Sequence, residues 1–305
     1  MENGEYHCII VGGGPGGLTS ALYLARFNRR VLVVTHEDQR ARNIPRTWNV
    51  PGYPDGVIGT ELLYRCREHA TKYGAEVLTG DVACVDGHRG AFHARLADGR
   101  DFRAHNVVLA TGIADVLPDI PDAERYYGCG LRVCPVCDGY ETTGHRIAVF
   151  GTGNYVARHA LFLTTWTDRI TIMANGLGVW EDISEDLRAE LEAHHIAFEP
   201  GRVVEVVGDG PEIAGLRTED SQLVEVDRAY AALERCTPRS ELARDLGAAT
   251  DAAGYIKVDA NQATTVPGLY AVGDVVNQDY AQIVIAMGQA AVAAIHMHNL
   301  YFTPG

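Results

Sequence analysis

Val11-Gly12-Gly13-Gly14-Pro15-Gly16-Gly17 is the stretch on which the fold of this chain turns. It follows the apolar run Tyr6-His7-Cys8-Ile9-Ile10-Val11 and precedes residues 18–27, whose apolar positions recur at helical spacing. The segment therefore reads as strand, tight turn and helix. Glycines at 12, 14 and 17 suit such a turn for three separate reasons: positive φ, close approach of the backbone to a pyrophosphate, and close packing of the helix on the strand. Pro15 stands among them. The helix start adds amide donors and a partial positive charge, both favourable to an anion. A glycine turn with a purely structural role is the competing reading.

Outward from this motif, residues 31–34 form the next buried strand, and Glu37 or Asp38 just beyond it offers an acid to the ribose hydroxyls of a dinucleotide. Residues 107–110 form another strand, ending at Thr111-Gly112. The pattern then recurs: an apolar strand at 147–150, the turn Gly151-Thr152-Gly153-Asn154-Tyr155-Val156-Ala157 and a helix over 158–165. Late in the chain Val266-Pro267-Gly268-Leu269-Tyr270-Ala271-Val272-Gly273-Asp274 leads into a helix from about Gln282, with Ile283 in its first turn, to Leu300. The expected class is α/β: two Rossmann-like, three-layer ββα dinucleotide-binding domains, the second inserted into the first. The expected boundaries are 1–118 and 243–305 for an FAD-binding domain and 119–242 for an inserted NAD(P)H-type domain carrying the C-x-x-C. Prolines and polar residues near 116–121 and 238–246 mark the crossings.

The chain has 305 residues, 47% hydrophobic and 22% charged. That is the composition of a globular protein with a core of its own. A net charge of -14 argues against a general nucleic-acid surface, because phosphate binding needs clustered Lys and Arg. Arg26, Arg29, Arg30, Arg40, Arg42 and Arg46 form one local basic concentration, read first as solvated arginines and second as a docking patch. The first residues carry acid rather than a basic run before an apolar stretch, and the longest apolar stretch, at 283–295, is too short to span a bilayer. The expectation is no membrane association and a cytoplasmic location. Seven cysteines, an odd number, read mostly as reduced core thiols, with Cys8, Cys66, Cys84, Cys129 and Cys236 in that role.

Cys134-Pro135-Val136-Cys137-Asp138-Gly139-Tyr140 is the sharpest chemical signal. C-x-x-C lets two sulfurs close a small ring that opens and closes reversibly. Half of a zinc site is the alternative, but no second C-x-x-C exists and His194-His195 and His296/His298 lack ligand spacing, so redox chemistry is favoured over metal. Asp138 stands where it could shuttle a proton to a thiolate, an ordinary turn aspartate being the alternative. Asp274, between strand and helix, could bond the ribityl chain of a flavin or simply cap the helix.

Taken in order, Val11 to Gly17, Asn49-Val50-Pro51-Gly52-Tyr53-Pro54, Ala110-Thr111-Gly112, Cys134 to Tyr140, Gly151-Thr152-Gly153-Asn154 and Pro267 to Asp274 resemble the low-molecular-weight thioredoxin reductases over nearly the whole chain. The resemblance implies an FAD-dependent disulfide oxidoreductase and a homodimer, with Asn49, Thr111, Gly112, Gly273, Asp274, Gln282 and Ile283 near FAD. It further implies that Cys137 faces the flavin, that Cys134 attacks a disulfide of thioredoxin or a similar substrate, and that the inserted domain rotates between the two tasks. NADPH-using members carry arginines after the second strand of the insert, whereas no Arg or Lys occurs here between Arg169 and Arg188 and that strand ends at Asn175. This departure argues against NADPH. NADH or a second FAD remains compatible with Gly151, Gly153 and Asn154, and Tyr155, Trp166 and Trp180 could stack on a ring there. Some relatives take electrons from ferredoxin, and diflavin-linked disulfide oxidoreductases resemble this arrangement. An ordinary NAD(P)H-dependent thioredoxin reductase is the nearest alternative, and two further readings stand beside it. The first is a dithiol oxidase using oxygen: Arg42-Asn43 resembles such relatives, which often carry His in place of Asp138. The second is a flavin-binding redox sensor without turnover.

Overall fold

The computed structural model describes residues 5–116, 118–175, 179–233, 236–276 and 280–301. Part of the acidic N-terminus, Leu117 in the first expected crossing and residues 176–178 of the arginine-free stretch fall outside these. The chain divides into two compact units: Met1–Arg46, Val50–Ala114 and Cys236–Gly305 form the first, and Thr47–Asn49 with Asp115–Arg235 the second.

In chain order the first unit opens with β1 (Tyr6–Val11), α1 (Pro15–Arg26), β2 (Val31–Thr35), α2 (Gly59–Lys72), β3 (Glu76–Thr79), β4 (Val82–His88), β5 (Ala91–Leu96), β6 (Asp101–Leu109) and the short β7 (Ile113–Ala114). The second unit supplies β8 (Leu131–Arg132), α3 (Pro135–Asp138), β9 (Ile147–Gly151), α4 (Gly153–Leu163), β10 (Ile170–Ala174), α5 (Glu185–Ala193), β11 (Ala197–Glu199), β12 (Val203–Asp209), β13 (Glu212–Thr218), β14 (Leu223–Glu225) and β15 (Arg228–Ala232). The chain returns to the first unit with β16 (Thr237–Pro238), α6 (Glu241–Asp245), β17 (Leu269–Ala271) and α7 (Ile283–Asn299).

The parallel core of the first unit runs β3-β2-β1-β6, with β17 on the far side of β6, while β4 and β5 extend β6 as an antiparallel meander. Alternation along the strands assigns each residue to one of two buried faces. Ile9, Val11, Leu32, Val34, Val107, Leu109, Leu269 and Ala271 pack with Phe92, Ala94, Ala243 and Ile256 on one face. Cys8, Ile10, Val31, Val33, Val108 and Tyr270 pack on the other against Leu24 of α1 and Ala290, Ala293 and Met297 of α7. Both faces are buried, which explains strands that read as unbroken apolar runs.

The second unit repeats the plan, with parallel order β11-β10-β9-β15-β8. Ile147, Val149, Ile172 and Tyr230 pack against Val156, Ala160 and Leu163 of α4. Ala148, Phe150, Met173 and Ala231 pack against Val203, Val206, Ile213 and Leu216 of the antiparallel sheet β12-β13-β14. Helices, parallel sheet and antiparallel sheet make the three layers the sequence pattern anticipates. The helices α1 and α4 start at Pro15 and Gly153, earlier than apolar spacing alone implies, because the glycine turns themselves supply the first helical residues. No helix among the described residues is long and apolar enough to cross a membrane.

Of the two readings of the arginines at 26–46, the docking patch finds no single surface in the placement of Arg26, Arg29, Arg30, Arg40 and Arg46. Arg26, Arg29 and Arg30 stand at the amino edge of the sheet, where their guanidinium groups lie over Tyr73, Tyr301 and Tyr6. Arg40 follows β2 at the opposite edge and pairs with Asp274, and Arg46 donates to the backbone carbonyl of Asp55. The progress of β2 across the sheet separates residues that are close in sequence.

Candidate functional site

In the first unit the glycine turn is tight where it meets the protein and open where a ligand would lie. A Cβ on Gly12, whose φ is 111°, would overlap the carbonyl oxygen of Ala110, and one on Gly13 would overlap the Thr35 side chain. A Cβ on Gly17 would overlap the carbonyl oxygen of Gly12, so α1 sits directly on the strand end. Gly14 differs from all three. It caps α1 with φ -74° and ψ -178°, a conformation open to any residue, and a Cβ there would meet nothing within 4 Å. Glycine at this position makes physical sense if something else fills the space, and an FAD pyrophosphate on the amides of the α1 start fits it. Pro15 is the first helical residue and gives up no amide the helix could use.

Thr111 and Gly112 stand at the crossing. The Thr111 hydroxyl donates to the Arg239 carbonyl at 2.6 Å, and the Arg239 amide donates to the Gly112 carbonyl at 3.0 Å, beside the β7–β16 pairing. Gly273 has φ 79°, and its amide donates to Gln289 Oε1 of α7 at 2.7 Å. Asp274 Oδ2 accepts from Arg40 Nη1 at 3.3 Å, a pairing that sequence reading missed because the two are 234 positions apart. Gln282 caps α7, and Ile283 packs with Val50, Val57 and Leu62. Glu37 is exposed beyond the end of β2, and Asp38 pairs with Arg239 at 3.0 Å. Gln39 was also missed: its Nε2 donates to Thr35 Oγ1, while its buried Oε1 has no partner among the described residues. Asn49 groups with the second unit, where its Oδ1 accepts from the Thr47 hydroxyl.

In the second unit Cys134 and Cys137 are joined by a disulfide, with Cα atoms 5.3 Å apart, at the start of α3. Pro135 opens the helical turn, and the Cys137 amide donates to the Cys134 carbonyl. Gly139 lets this turn lie flat: a Cβ there would overlap the Trp166 ring and stand 2.6 Å from the Pro135 carbonyl oxygen. Asp138 points inward. Its Oδ2 lies 2.8 Å from Arg132 Nη1 and its Oδ1 accepts from the Tyr230 hydroxyl at 2.8 Å. Burial pushes the Asp138 carboxyl above the usual carboxylate range, opposed by Arg132 and by the Tyr230 hydrogen bond. Burial, and then the Asp138 charge, hold the Tyr230 hydroxyl protonated, so it is the donor.

The second glycine turn copies the first only in part. A Cβ on Gly151 would overlap the Ala232 carbonyl oxygen, the counterpart of Gly12 against Ala110. Val156, fully buried, stands where the first turn has Gly17. At Gly153, the counterpart of Gly14, a Cβ would find Asp182 O at 3.5 Å and Asp182 Cβ at 3.7 Å. Asn154 Oδ1 accepts from the Ser184 amide at 2.7 Å, tying the segment after β10 to the turn. Of the aromatic residues in this unit, Tyr155 lies against His159, Trp166 against Phe162, and Trp180 against Phe198. Among the described residues no group of three or more His, Cys, Asp or Glu could hold a metal ion.

A doubled dinucleotide-binding fold whose inserted unit carries a disulfide next to a buried carboxylate defines a flavin-linked disulfide oxidoreductase. Residues 6–290 match the model of the pyridine nucleotide-disulphide oxidoreductase family. The chain belongs to that family and is an FAD-dependent disulfide oxidoreductase of thioredoxin-reductase type. It is 31% identical over 306 residues to the thioredoxin reductase of Streptomyces coelicolor, covering 94% of this chain and 91% of that one. Among solved structures it is similar to HlmI, with TM-score 0.91 and 32% identity over 99% of this chain and 94% of that one. It is equally similar in fold to the thioredoxin reductase of Streptococcus pyogenes, with TM-score 0.91 and 25% identity over 99% of each chain.

Proposed function

We propose that electrons pass through an FAD held by the first unit to the Cys134/Cys137 pair and on to thioredoxin or a similar disulfide, and that NADPH is not their source. The observation that carries the donor reading is Asp182 beside Gly153: its backbone oxygen and Cβ lie 3.5 and 3.7 Å from where a Cβ on Gly153 would stand, whereas Gly14 in the first turn has no protein atom within 4 Å of that point. A pyrophosphate would have to displace this segment, which is pinned by the Asn154–Ser184 bond and by the buried Val179 and Ile183. It would also meet negative charge instead of arginine. The same placement of Asp182 counts against NADH and a second FAD. A donor that needs no nucleotide pocket, such as ferredoxin, suits this reading, although the arginines at 26–46, split between two edges of the sheet, do not offer it a single basic face.

Two assays in one cuvette test the proposal: the flavin-to-protein ratio of the purified protein, then anaerobic titration with NADPH and NADH. The expected result is one flavin per chain, unbleached by either nucleotide and reduced by dithionite or reduced ferredoxin. Prompt bleaching by NADPH would overturn the donor reading. Two flavins per chain would mean that the segment around Asp182 moves aside to form a second cradle.

A further inference from the structure

The carboxylate beside the dithiol is held by two residues that no local motif announces. Arg132 ends β8 and Tyr230 lies in β15, and the two are direct register partners in the parallel ladder between those strands. Their neighbours Leu131 and Ala229 face the antiparallel layer. Alternation turns Arg132 and Tyr230 to the other face, the one that carries α3. There each takes a different oxygen of Asp138, both at 2.8 Å. The Arg132 and Asp138 side chains are only 12% and 19% exposed, and Tyr230 is fully buried. The Arg132 Nε donates to the Cys129 carbonyl at 2.9 Å, and the Tyr230 hydroxyl also lies 3.3 Å from the Asp138 carbonyl, so neither is free to swing away.

We propose that Arg132 and Tyr230 are positioning residues that hold Asp138 as a fixed carboxylate, the proton acceptor for the thiol of the opened Cys134/Cys137 pair. The inference rests on the disulfide-exchange reading given above. In the reduced protein one sulfur of the pair is a thiolate and the other a thiol. The thiolate attacks a substrate disulfide; the substrate S–S bond breaks, a mixed disulfide forms and one substrate thiolate leaves. Asp138 takes the proton of the remaining thiol, and the sulfur so freed attacks the mixed disulfide. The Cys134–Cys137 bond re-forms, the second substrate thiolate leaves, and the carboxyl proton passes to it or to water. Two electrons leave the pair and two enter the substrate.

The geometry matters because a buried carboxyl without partners takes up a proton and can accept no other. The guanidinium and the phenol hydroxyl both favour the anion. Opposing them is Glu141, one turn further on, whose charge raises the proton affinity of Asp138. The helix α4, packed against α3, carries Tyr155, Arg158 and His159. Arg158 is exposed, Tyr155 stacks on His159, and the His159 ring is tied to the backbone at Tyr155 and Val133. The clamp on Asp138 therefore consists of Arg132 and Tyr230.

The test uses the flavin-loaded protein after reduction with dithiothreitol and its removal, so that neither electron donor nor natural substrate is needed. Iodoacetamide alkylation read at the Cys134 and Cys137 peptides, and single-turnover oxidation by hydroxyethyl disulfide, are followed across pH. Both profiles should carry an acid limb belonging to the coupled thiol and carboxyl. Tyr230→Phe removes one hydrogen bond to a charged acceptor and should move that limb up by about one pH unit. Arg132→Met should move it further, and Arg132→Lys should recover most of the difference. An unmoved limb in Tyr230→Phe, or rates lowered by the same factor at every pH, would overturn the proposal. A limb that moves in alkylation while the unsubstituted protein fails to oxidise with the disulfide would support the clamp and sink the exchange reading instead.

Discussion

Replacing Gly14 with Ala separates what the first glycine turn does for the fold from what it does for the cofactor. The φ and ψ of Gly14 suit alanine, and the added methyl would meet no protein atom within 4 Å. Reduced freedom of the unfolded chain should stabilise the variant by about 0.4–1 kcal/mol. Alanine is a poorer helix cap than glycine by a similar amount. The two effects offset, leaving the flavin-free protein within about 1 kcal/mol of its parent, a Tm change of no more than about 3 °C for a chain of this size. Flavin binding should respond differently. A methyl where the pyrophosphate approaches the α1 amides breaks at least one hydrogen bond to a charged group, about 1.5–3 kcal/mol, or about tenfold to a hundredfold in Kd. The assay pairs thermal unfolding of the flavin-stripped protein with fluorescence titration of FAD. Gly14→Ser, which restores a good cap, should lose flavin to the same degree. Gly17→Ala is the contrast: its Cβ would overlap the Gly12 carbonyl, so both stability and flavin should fall, the former by about 1–3 kcal/mol. Undiminished FAD affinity in Gly14→Ala would refute the placement of the pyrophosphate over this helix.

Three further outcomes follow from the same geometry. Cys137→Ser should abolish disulfide reduction while the protein stays yellow, and loss of the bound flavin would make the pair a structural link instead. Asp274→Ala should weaken FAD retention about tenfold if the carboxylate bonds the ribityl chain, and an unchanged flavin content would remove it from the cradle. Acid should destabilise both units. Burial holds His7 and His159 below the ordinary histidine value of 6.5. The unfolded chain therefore takes up protons that the folded one does not as pH falls through that value, and stability drops from there downward, by at most about 1.4 kcal/mol per pH unit for each histidine. Denaturant titrations at about pH 7.5 and about pH 5.5 check this, and His159→Gln should flatten the slope. A pH-independent midpoint would contradict the burial of both rings.

Much of the fold was legible because its signals are local. A glycine turn between a β-branched run and a helix is specified by a few consecutive φ and ψ values, so Gly12 to Gly17 and Gly151 to Gly153 declare two nucleotide-type units without reference to the rest of the chain. The antiparallel layer of β12, β13 and β14 was less visible. Its strands alternate between the core and water with register shifts at Val203/Glu205 and Val207/Gly208, and such half-buried, bulged strands carry a weak period. The Cys134–Cys137 pair and the acid next to it were likewise written in one heptapeptide.

Read alone, the chain's residues declare its class: two dinucleotide folds, one inside the other, with a redox dithiol in the insert and no Arg or Lys between Arg169 and Arg188. Tertiary structure alone decided what surrounds each of those motifs. Asp138 meets Tyr230 across 92 positions because β8 and β15 adopt one particular parallel register, and a shift by a single residue would turn the hydroxyl to the other face. Arg40 meets Asp274 because β2 and β17 deliver their carboxyl ends to the same edge of one sheet. Asp182 lies beside Gly153 because Val179 and Ile183 are buried in the core of the second unit and the Ser184 amide bonds Asn154. In each case the partners are matched by the packing of strands and helices that are remote in sequence, and no pattern within a window of a few residues encodes that match.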